Sequence, residues 1–165
     1  MIADSLIVPE CIFRPGSFTG LMTLYESNYI KLSQLVSDFD LLPTSQSEVA
    51  VSCSDEDHDL HLQVRLRERY TTTLKLTYLF YPSVPDTEAQ QRPIPDPDLT
   101  VRVYQDARLA EAVGVRDRHQ HHKLQELARA HCRELDWRWR NNMMLNKWLD
   151  YLMEMGHGFA ARPAK

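Results

Sequence analysis

The sequence predicts an α+β fold: an N-terminal helix, a four-stranded antiparallel meander sheet, and C-terminal helices packed on one face of that sheet. Three observations predict this fold. Apolar residues recur at helical spacing in residues 17–39, they alternate with polar residues between residues 49 and 104, and a second helical pattern follows near the C-terminus. Strands do not alternate with helices, so a parallel βαβ architecture is not expected.

The first helix is expected over residues 17–39, where apolar side chains repeat about every 3.6 residues. Ser17 can cap it, because its hydroxyl can accept a hydrogen bond from a free amide of the first turn. Pro43 marks the expected stop. Asn28 lies within the apolar stripe of this helix, and a buried amide needs hydrogen-bond partners.

Four strands are expected next. The first strand is expected near residues 49–53, where Val49, Val51 and Cys53 share one face. The second, third and fourth strands are expected at residues 60–66, 71–81 and 99–104. Residues 82–98 hold five of the nine prolines, so this segment is expected to be an exposed loop.

Three helices are expected in the C-terminal part of the sequence. A short helix is expected over residues 106–113 with Gly114 as its stop, and a second over residues 121–135. The third is expected from Asp136, as the cap, to Gly156. Its apolar side chains lie one turn apart: Leu145, Trp148, Leu149 and Leu152.

The length of 165 residues suits one domain, expected at residues 17–156 between a flexible N-terminus (1–16) and a frayed tail (157–165). No apolar run approaches the ~20 residues of a membrane helix. The N-terminus lacks the pattern of a signal peptide. The three cysteines are widely spaced, which argues against a disulfide framework. A cytoplasmic protein is therefore expected.

Charge is divided unevenly along the chain. Residues 1–99 carry 7 Lys/Arg and 15 Asp/Glu, whereas residues 100–165 carry 12 and 8. Attraction between the two halves and a basic face that binds an anion both remain open interpretations. The overall net charge of -4 argues against nucleic-acid binding, which needs surplus cations.

Three stretches form sequence motifs that are more specific than a periodic pattern: Tyr-Glu-Ser-Asn-Tyr at residues 25–29, Arg-Tyr-Thr-Thr-Thr-Leu at 69–74, and the run at 101–111. Together they resemble the YqiB-like family of small proteobacterial proteins, a family of unknown function. The resemblance extends from about Tyr25 to Gly156 and implies no catalytic residues. Genes of that family often lie between those for an ADP-ribose pyrophosphatase and a cyclic-AMP phosphodiesterase, an association that points to nucleotide metabolism or signalling.

One group of polar residues is the leading candidate for a ligand site: Asn28, Arg69, Tyr70, Tyr104, Asp106 and Arg108. They could form a structural network, in which Asp106 caps the short helix, Arg108 pairs with Glu111 and Asn28 ties the first helix to the sheet. Alternatively, Arg69 and Arg108 hold an anionic ligand, since a guanidinium suits carboxylate or phosphate. The group pairs no nucleophile with a base, so it is not expected to be catalytic.

Other candidates favour ordinary structural roles. Five residues could be metal ligands but are better interpreted as part of a solvated helix face: His119, His121, His122, His131 and Cys132. The acidic run at residues 55–59 lacks the glycine and closing glutamate of a calcium loop, so it is interpreted as a charged hairpin turn. Cys53 and Cys132 are weighed as nucleophiles, but Cys53 is interpreted as a core residue. No metal and no cofactor is expected.

Trp148 is expected in the core, and one of Trp137 and Trp139 is expected to be exposed or at an interface, where it forms a homodimer contact or a tertiary lid. The expected function is a non-enzymatic binding or protein-interaction module that engages a protein partner or a small anionic ligand, and neither nucleic acid nor a membrane. The alternative is a hydrolase or transferase acting on a nucleotide-like substrate. Whether the protein is an enzyme stays open.

Overall fold

The computed structural model describes residues 17–44, 47–80, 94–115 and 134–160. Two helices and five strands follow in this order: α1 Phe18–Leu35, β1 Ala50–Ser52, β2 Leu60–Arg67, β3 Thr71–Phe80, β4 Ile94–Tyr104, β5 Leu109–Val115 and α2 Glu134–Glu154. The strands form one antiparallel sheet in the order β1-β2-β3-β4-β5. The α+β class and the antiparallel sheet are confirmed, but the sheet has five strands and not four.

Helix α1 begins as the sequence predicts and ends earlier. Ser17 is its N-cap, and the amide of Gly20 donates to the Ser17 hydroxyl over 3.0 Å. The helix ends at Leu35, not at residue 39, because Val36 turns extended and forms a parallel bridge with Phe159. The Phe159 amide donates to the Leu35 carbonyl at 2.7 Å. A segment distant in the chain therefore supplies a hydrogen bond to a carbonyl at the C-terminal end of the helix.

Strand β5 replaces the helix expected over residues 106–113. Glu111 pairs with Arg102 of β4, and Gly114, the expected helix stop, lies opposite Thr100. The alanines and leucine of this segment favour a helix locally. Pairing with β4 and burial of Ala110 and Ala112 outweigh that preference.

Two further expectations about the sheet are wrong. Strand β4 begins at Ile94, so residues 94–98 belong to the sheet and not to the expected loop, while residues 81–93 lie outside the described ranges. In β1 the buried face is the opposite of the one expected. Ser52 pairs with the buried Leu60 and shares its face, which leaves Val51 and Cys53 exposed.

Helix α2 begins at Glu134, so residues 134–136 are helical where the sequence predicts a boundary capped by Asp136. The rest of the helix expected over residues 121–135 lies outside the described residues. The helix ends at Glu154, and Gly156 follows as the predicted stop, with a φ of 79° that favours glycine. The His157 amide then donates to the Leu152 carbonyl at 3.0 Å, a typical helix end.

The largest buried cluster joins both helices to alternate residues of every strand. Its fully buried members of large volume are Leu32, Leu35, Val36, Leu60, Leu62, Val64, Leu74, Leu76, Leu99, Leu145, Leu149 and Leu152. Residues 157–160, which the sequence predicts to belong to a frayed tail, lie against this core, and His157 and Phe159 are buried. No described helix is both long and apolar enough to cross a membrane.

Candidate functional site

Five of the six predicted site residues lie at one end of the sheet. Residues 68–70 connect β2 to β3, and residues 105–108 connect β4 to β5. Because Thr71 pairs with Tyr104, the two turns are neighbours, and the Gln105 amide donates to the Tyr70 carbonyl at 2.9 Å. We call residues 68–70 and 105–108 the paired turns. Asn28 lies elsewhere, in α1.

Asn28 is fully buried, as predicted, but its partners differ from the predicted ones. Its amide nitrogen donates to the Asn142 side-chain oxygen at 3.2 Å and to the Ala110 carbonyl at 3.4 Å, while Asn146 donates to its oxygen at 2.9 Å. The Ala112 amide donates to the same Asn142 oxygen at 2.8 Å. Asn28 therefore belongs to a structural network and does not reach the paired turns.

This network protects the outer edge of the sheet. β5 is the last strand, and the backbone groups on the outer side of such a strand need partners. Asn28 from α1 and Asn142 from α2 supply them. The spacing of Asn142, Leu145, Asn146 and Leu149 on one helical face is the sequence signal that could have identified the α2 members.

Glu111 organises a second polar cluster near the paired turns. Its carboxylate is buried, accepts a hydrogen bond from the Tyr104 hydroxyl at 2.7 Å, and forms an ion pair with Arg138 at 3.3 Å. The expected Arg108–Glu111 pair is wrong, because β5 is a strand and Arg108 lies in the turn before it. Burial, followed by the hydrogen bond to Glu111, raises the pKa of Tyr104.

The arginines of the paired turns are exposed. The Arg69 guanidinium lies 4.9 Å from the centre of the Tyr70 ring, which is 50% exposed. Arg108 adopts a left-handed backbone with a φ of 54°. Neither arginine forms an ion pair with another residue of the described ranges. Asp106 is also exposed and caps no helix.

A third polar cluster joins β1 to the segment after α2. The Ser52 hydroxyl lies 3.2 Å from His157 Nδ1, and His157 Nε2 lies 3.5 Å from the Asp57 carboxylate. Burial raises the pKa of Asp57, but hydrogen bonds, first among them that from Tyr78, outweigh it and the pKa is lowered. Ser52 and His157 are buried, and the Ser52 hydroxyl also accepts from the Gly158 amide at 3.1 Å. This cluster therefore ties elements together and presents no nucleophile to solvent.

A groove of about 850 Å³ lies beside β1. Its lining comes from the segment before β1, from β1 itself and from the segment after α2: Asp38, Leu41, Leu42, Pro43, Ser47, Glu48, Val49, Ala50, Val51, Gly158, Phe159 and Ala160. Two acidic side chains and no Lys, Arg or His belong to this described lining. No pattern in the sequence indicates this groove, since its walls are distant from each other in the chain.

Of the candidate metal ligands and candidate nucleophilic cysteines, some lie outside the described residues and others lie within them. His119, His121, His122, His131 and Cys132 all lie outside the described residues. Within the described ranges, no group of three or more His, Cys, Asp or Glu side chains could hold a metal ion, and this includes residues 55–59. The expectation that Cys53 is a core residue is wrong. A hydrogen bond to Asp59 raises the pKa of its exposed thiol, which disfavours the nucleophilic thiolate.

The tryptophans follow the prediction. Trp148 is 9% exposed and belongs to the core. Trp137 is exposed, whereas Trp139 packs against a smaller cluster with Leu21 and Tyr25.

Comparison with known proteins identifies a family and no individual relative. A family model described as a protein of unknown function (DUF1249) matches residues 31–158, which include the paired turns and all of the groove lining except Phe159 and Ala160. No curated protein and no solved structure matches the chain significantly.

Proposed function

The chain belongs to the DUF1249 family, whose function is unknown, and we propose that it is a non-enzymatic, cytoplasmic binding module that holds an anionic group at the paired turns. The observation that carries the proposal is the exposed Arg108 in a left-handed turn conformation. Within the family, we propose a place among the YqiB-like proteins, because of the motifs at residues 25–29, 69–74 and 101–111.

The backbone of Arg108 has an energetic cost. A left-handed conformation costs a non-glycine residue roughly 1–2 kcal/mol, and glycine or asparagine would reduce that cost. Strained residues concentrate at functional sites, where the surrounding structure holds them in the strained conformation. An arginine at this position therefore supports a role for its guanidinium.

Arg69 supports the same role from the neighbouring turn. Its guanidinium rests near the Tyr70 ring, which restricts the side chain before a ligand arrives and lowers the entropy lost on binding. The hydrogen bond from Gln105 to Tyr70 holds the two turns together. Two guanidinium groups without ion pairs in the described part of the chain suit a phosphate or carboxylate.

The other predicted site residues have different parts in this proposal. The Tyr104 hydroxyl is engaged by Glu111, so Tyr104 supports the turn and does not contact the ligand. The Asn28 amide is used by the network at the β5 edge. Asp106 is an exposed carboxylate in the same turn and would repel an anion that lies close to it, so it has no part in holding the ligand.

The test is a titration followed by backbone NMR, with inorganic pyrophosphate and with ADP as probes at low salt, where screening is weak. We expect chemical-shift changes confined to residues 68–70 and 105–108. The double variant Arg69→Ala/Arg108→Ala is expected to weaken binding at least about tenfold. Lys147→Ala, which removes an exposed cation of α2, serves as the control and is expected to bind normally.

Unchanged affinity in the folded double variant would refute the anion site. Loss of the folded circular-dichroism spectrum in that variant would favour the structural interpretation of these arginines. Phosphate release from ADP, measured in the same samples, would support the alternative of a hydrolase or transferase acting on a nucleotide-like substrate.

A further inference from the structure

The groove beside β1 combines a strand edge with which no described residue pairs, an apolar floor and acidic walls. We propose that it binds an extended segment of a partner protein that carries alternating apolar and basic side chains and adds as a strand to the outer edge of β1.

The outer edge of β1 is open to strand addition. β1 ends the sheet and pairs with β2 on one side, and no described residue forms a backbone hydrogen bond with its other side. The side chains of Val49 and Val51 are 44% and 47% exposed. Edge strands are normally protected by charged side chains, proline or a covering segment. An edge with exposed β-branched side chains suits strand addition, in which backbone hydrogen bonds supply affinity.

The floor and walls of the groove hold it open before a partner binds. Leu42 and Phe159 are each 8% exposed and form an apolar floor, while Gly158 and Ala160 lack large side chains that would fill the space. The wall formed by residues 38–43 is held in place by Arg67, whose guanidinium donates to the carbonyls of Phe39, Asp40 and Leu42. The groove is therefore preformed, which reduces the cost of ordering on binding.

Charge selects the occupant. Asp38 and Glu48 belong to the described lining, whereas no cationic side chain does. The exposed Leu41 lies beside them and offers an apolar contact. A partner with Lys or Arg between apolar residues would complement both features, because alternate side chains of an added strand point to opposite sides.

A second copy of this chain fits less well. Pairing two β1 edges would bring the acidic walls of two molecules together, and each chain carries a net charge of -4. Like charges at an interface oppose association. The observations thus favour a basic partner over self-association.

The test uses the probe Val-Lys-Val-Lys-Val-amide, which carries fluorescein on its N-terminus, with the full chain in fluorescence polarisation at low salt. The matched control probe carries Glu in place of both Lys. We expect the basic probe alone to bind. In backbone NMR we expect chemical-shift changes at residues 38–51 and 158–160 and slower hydrogen exchange at residues 50–52.

Charge reversal tests the walls. Asp38→Lys/Glu48→Lys is expected to weaken binding of the basic probe at least about tenfold and to create binding of the acidic probe. Glu26→Lys/Glu154→Lys makes the same change of net charge at exposed acids outside the groove lining and is expected to leave the affinity within about twofold. Both pairs are exposed, so circular dichroism should report an unchanged fold.

Several results would overturn the proposal. Equal binding of the two probes, or equal weakening by both charge reversals, would show that binding is nonspecific. A dimer detected by light scattering and lost on Val51→Lys would identify a second copy as the occupant. Tighter probe binding after deletion of residues 161–165 would identify the chain's own C-terminus as the occupant.

Discussion

Asn28 and Asn142 hydrogen-bond to each other in the protein interior, with the Asn28 amide nitrogen 3.2 Å from the Asn142 side-chain oxygen. Both residues are fully buried, and each also bonds to the backbone of β5. One pair of side chains therefore joins α1, α2 and the edge of the sheet. Such a buried polar pair stabilises the fold only while every group in it is satisfied.

Asn142→Ala is expected to lower the free energy of unfolding by roughly 2–4 kcal/mol, because it leaves the Ala112 amide and the Asn28 amide without their buried acceptor. Urea denaturation measures the change. Asn146→Ala is the control, since Asn146 is only partly buried and its loss should cost less. Equal costs for the two variants would contradict a central role for Asn142.

Arg108→Gly is expected to separate stability from binding. Glycine adopts the left-handed conformation without steric cost, so the free energy of unfolding should rise by up to about 1 kcal/mol. Arg108→Ala keeps the strain and should leave stability nearly unchanged. Both variants should bind pyrophosphate more weakly. Wild-type affinity in Arg108→Gly would show that the strained arginine has no role in anion binding.

Gly20→Ala is expected to destabilise the protein although alanine favours helices. The added methyl group would lie 2.8 Å from the Trp139 ring and 2.9 Å from the capping hydroxyl of Ser17. Such overpacking costs roughly 1–3 kcal/mol, which exceeds the propensity gain of about 1 kcal/mol. Gly114→Ala is the control, since the nearest atom there lies 3.9 Å away. Thermal unfolding of both variants compares them, and a raised melting temperature for Gly20→Ala would contradict the prediction.

Asp57 is expected to make the protein sensitive to acid. Its pKa in the folded state lies below the ordinary value of 3.8, because hydrogen bonds led by that of Tyr78 outweigh burial. The unfolded state therefore takes up a proton first as the pH falls. The contribution of this carboxylate to stability is complete well above pH 3.8 and is lost as the pH falls through the folded pKa.

Tyr78→Phe removes the first of those hydrogen bonds and should raise the pKa of Asp57 in an NMR titration of the carboxyl carbon. Asp57→Asn should lower stability at neutral pH and make urea unfolding less dependent on pH below about 4. An unchanged Asp57 titration in the folded Tyr78→Phe variant would contradict this assignment.

Local patterns predicted the elements whose causes are local. The Ser17 cap depends on one hydroxyl near its own first turn, and the stop at Gly156 depends on one left-handed residue. Burial of Asn28 followed from its place in an apolar stripe. Its partners did not, because Asn142 lies 114 residues away in the chain.

By itself, the sequence determined the α+β class, the antiparallel pairing of the meander and the limits of the clearest helix ends, because spacing and turn residues act over a few positions. Only the tertiary structure decided that residues 109–115 are a strand, since pairing with β4 and capping by two asparagines outweigh local helix preference. It also decided which face of β1 is buried and brought the walls of the groove together. Those outcomes depend on contacts between distant segments, whose free energy no local pattern records.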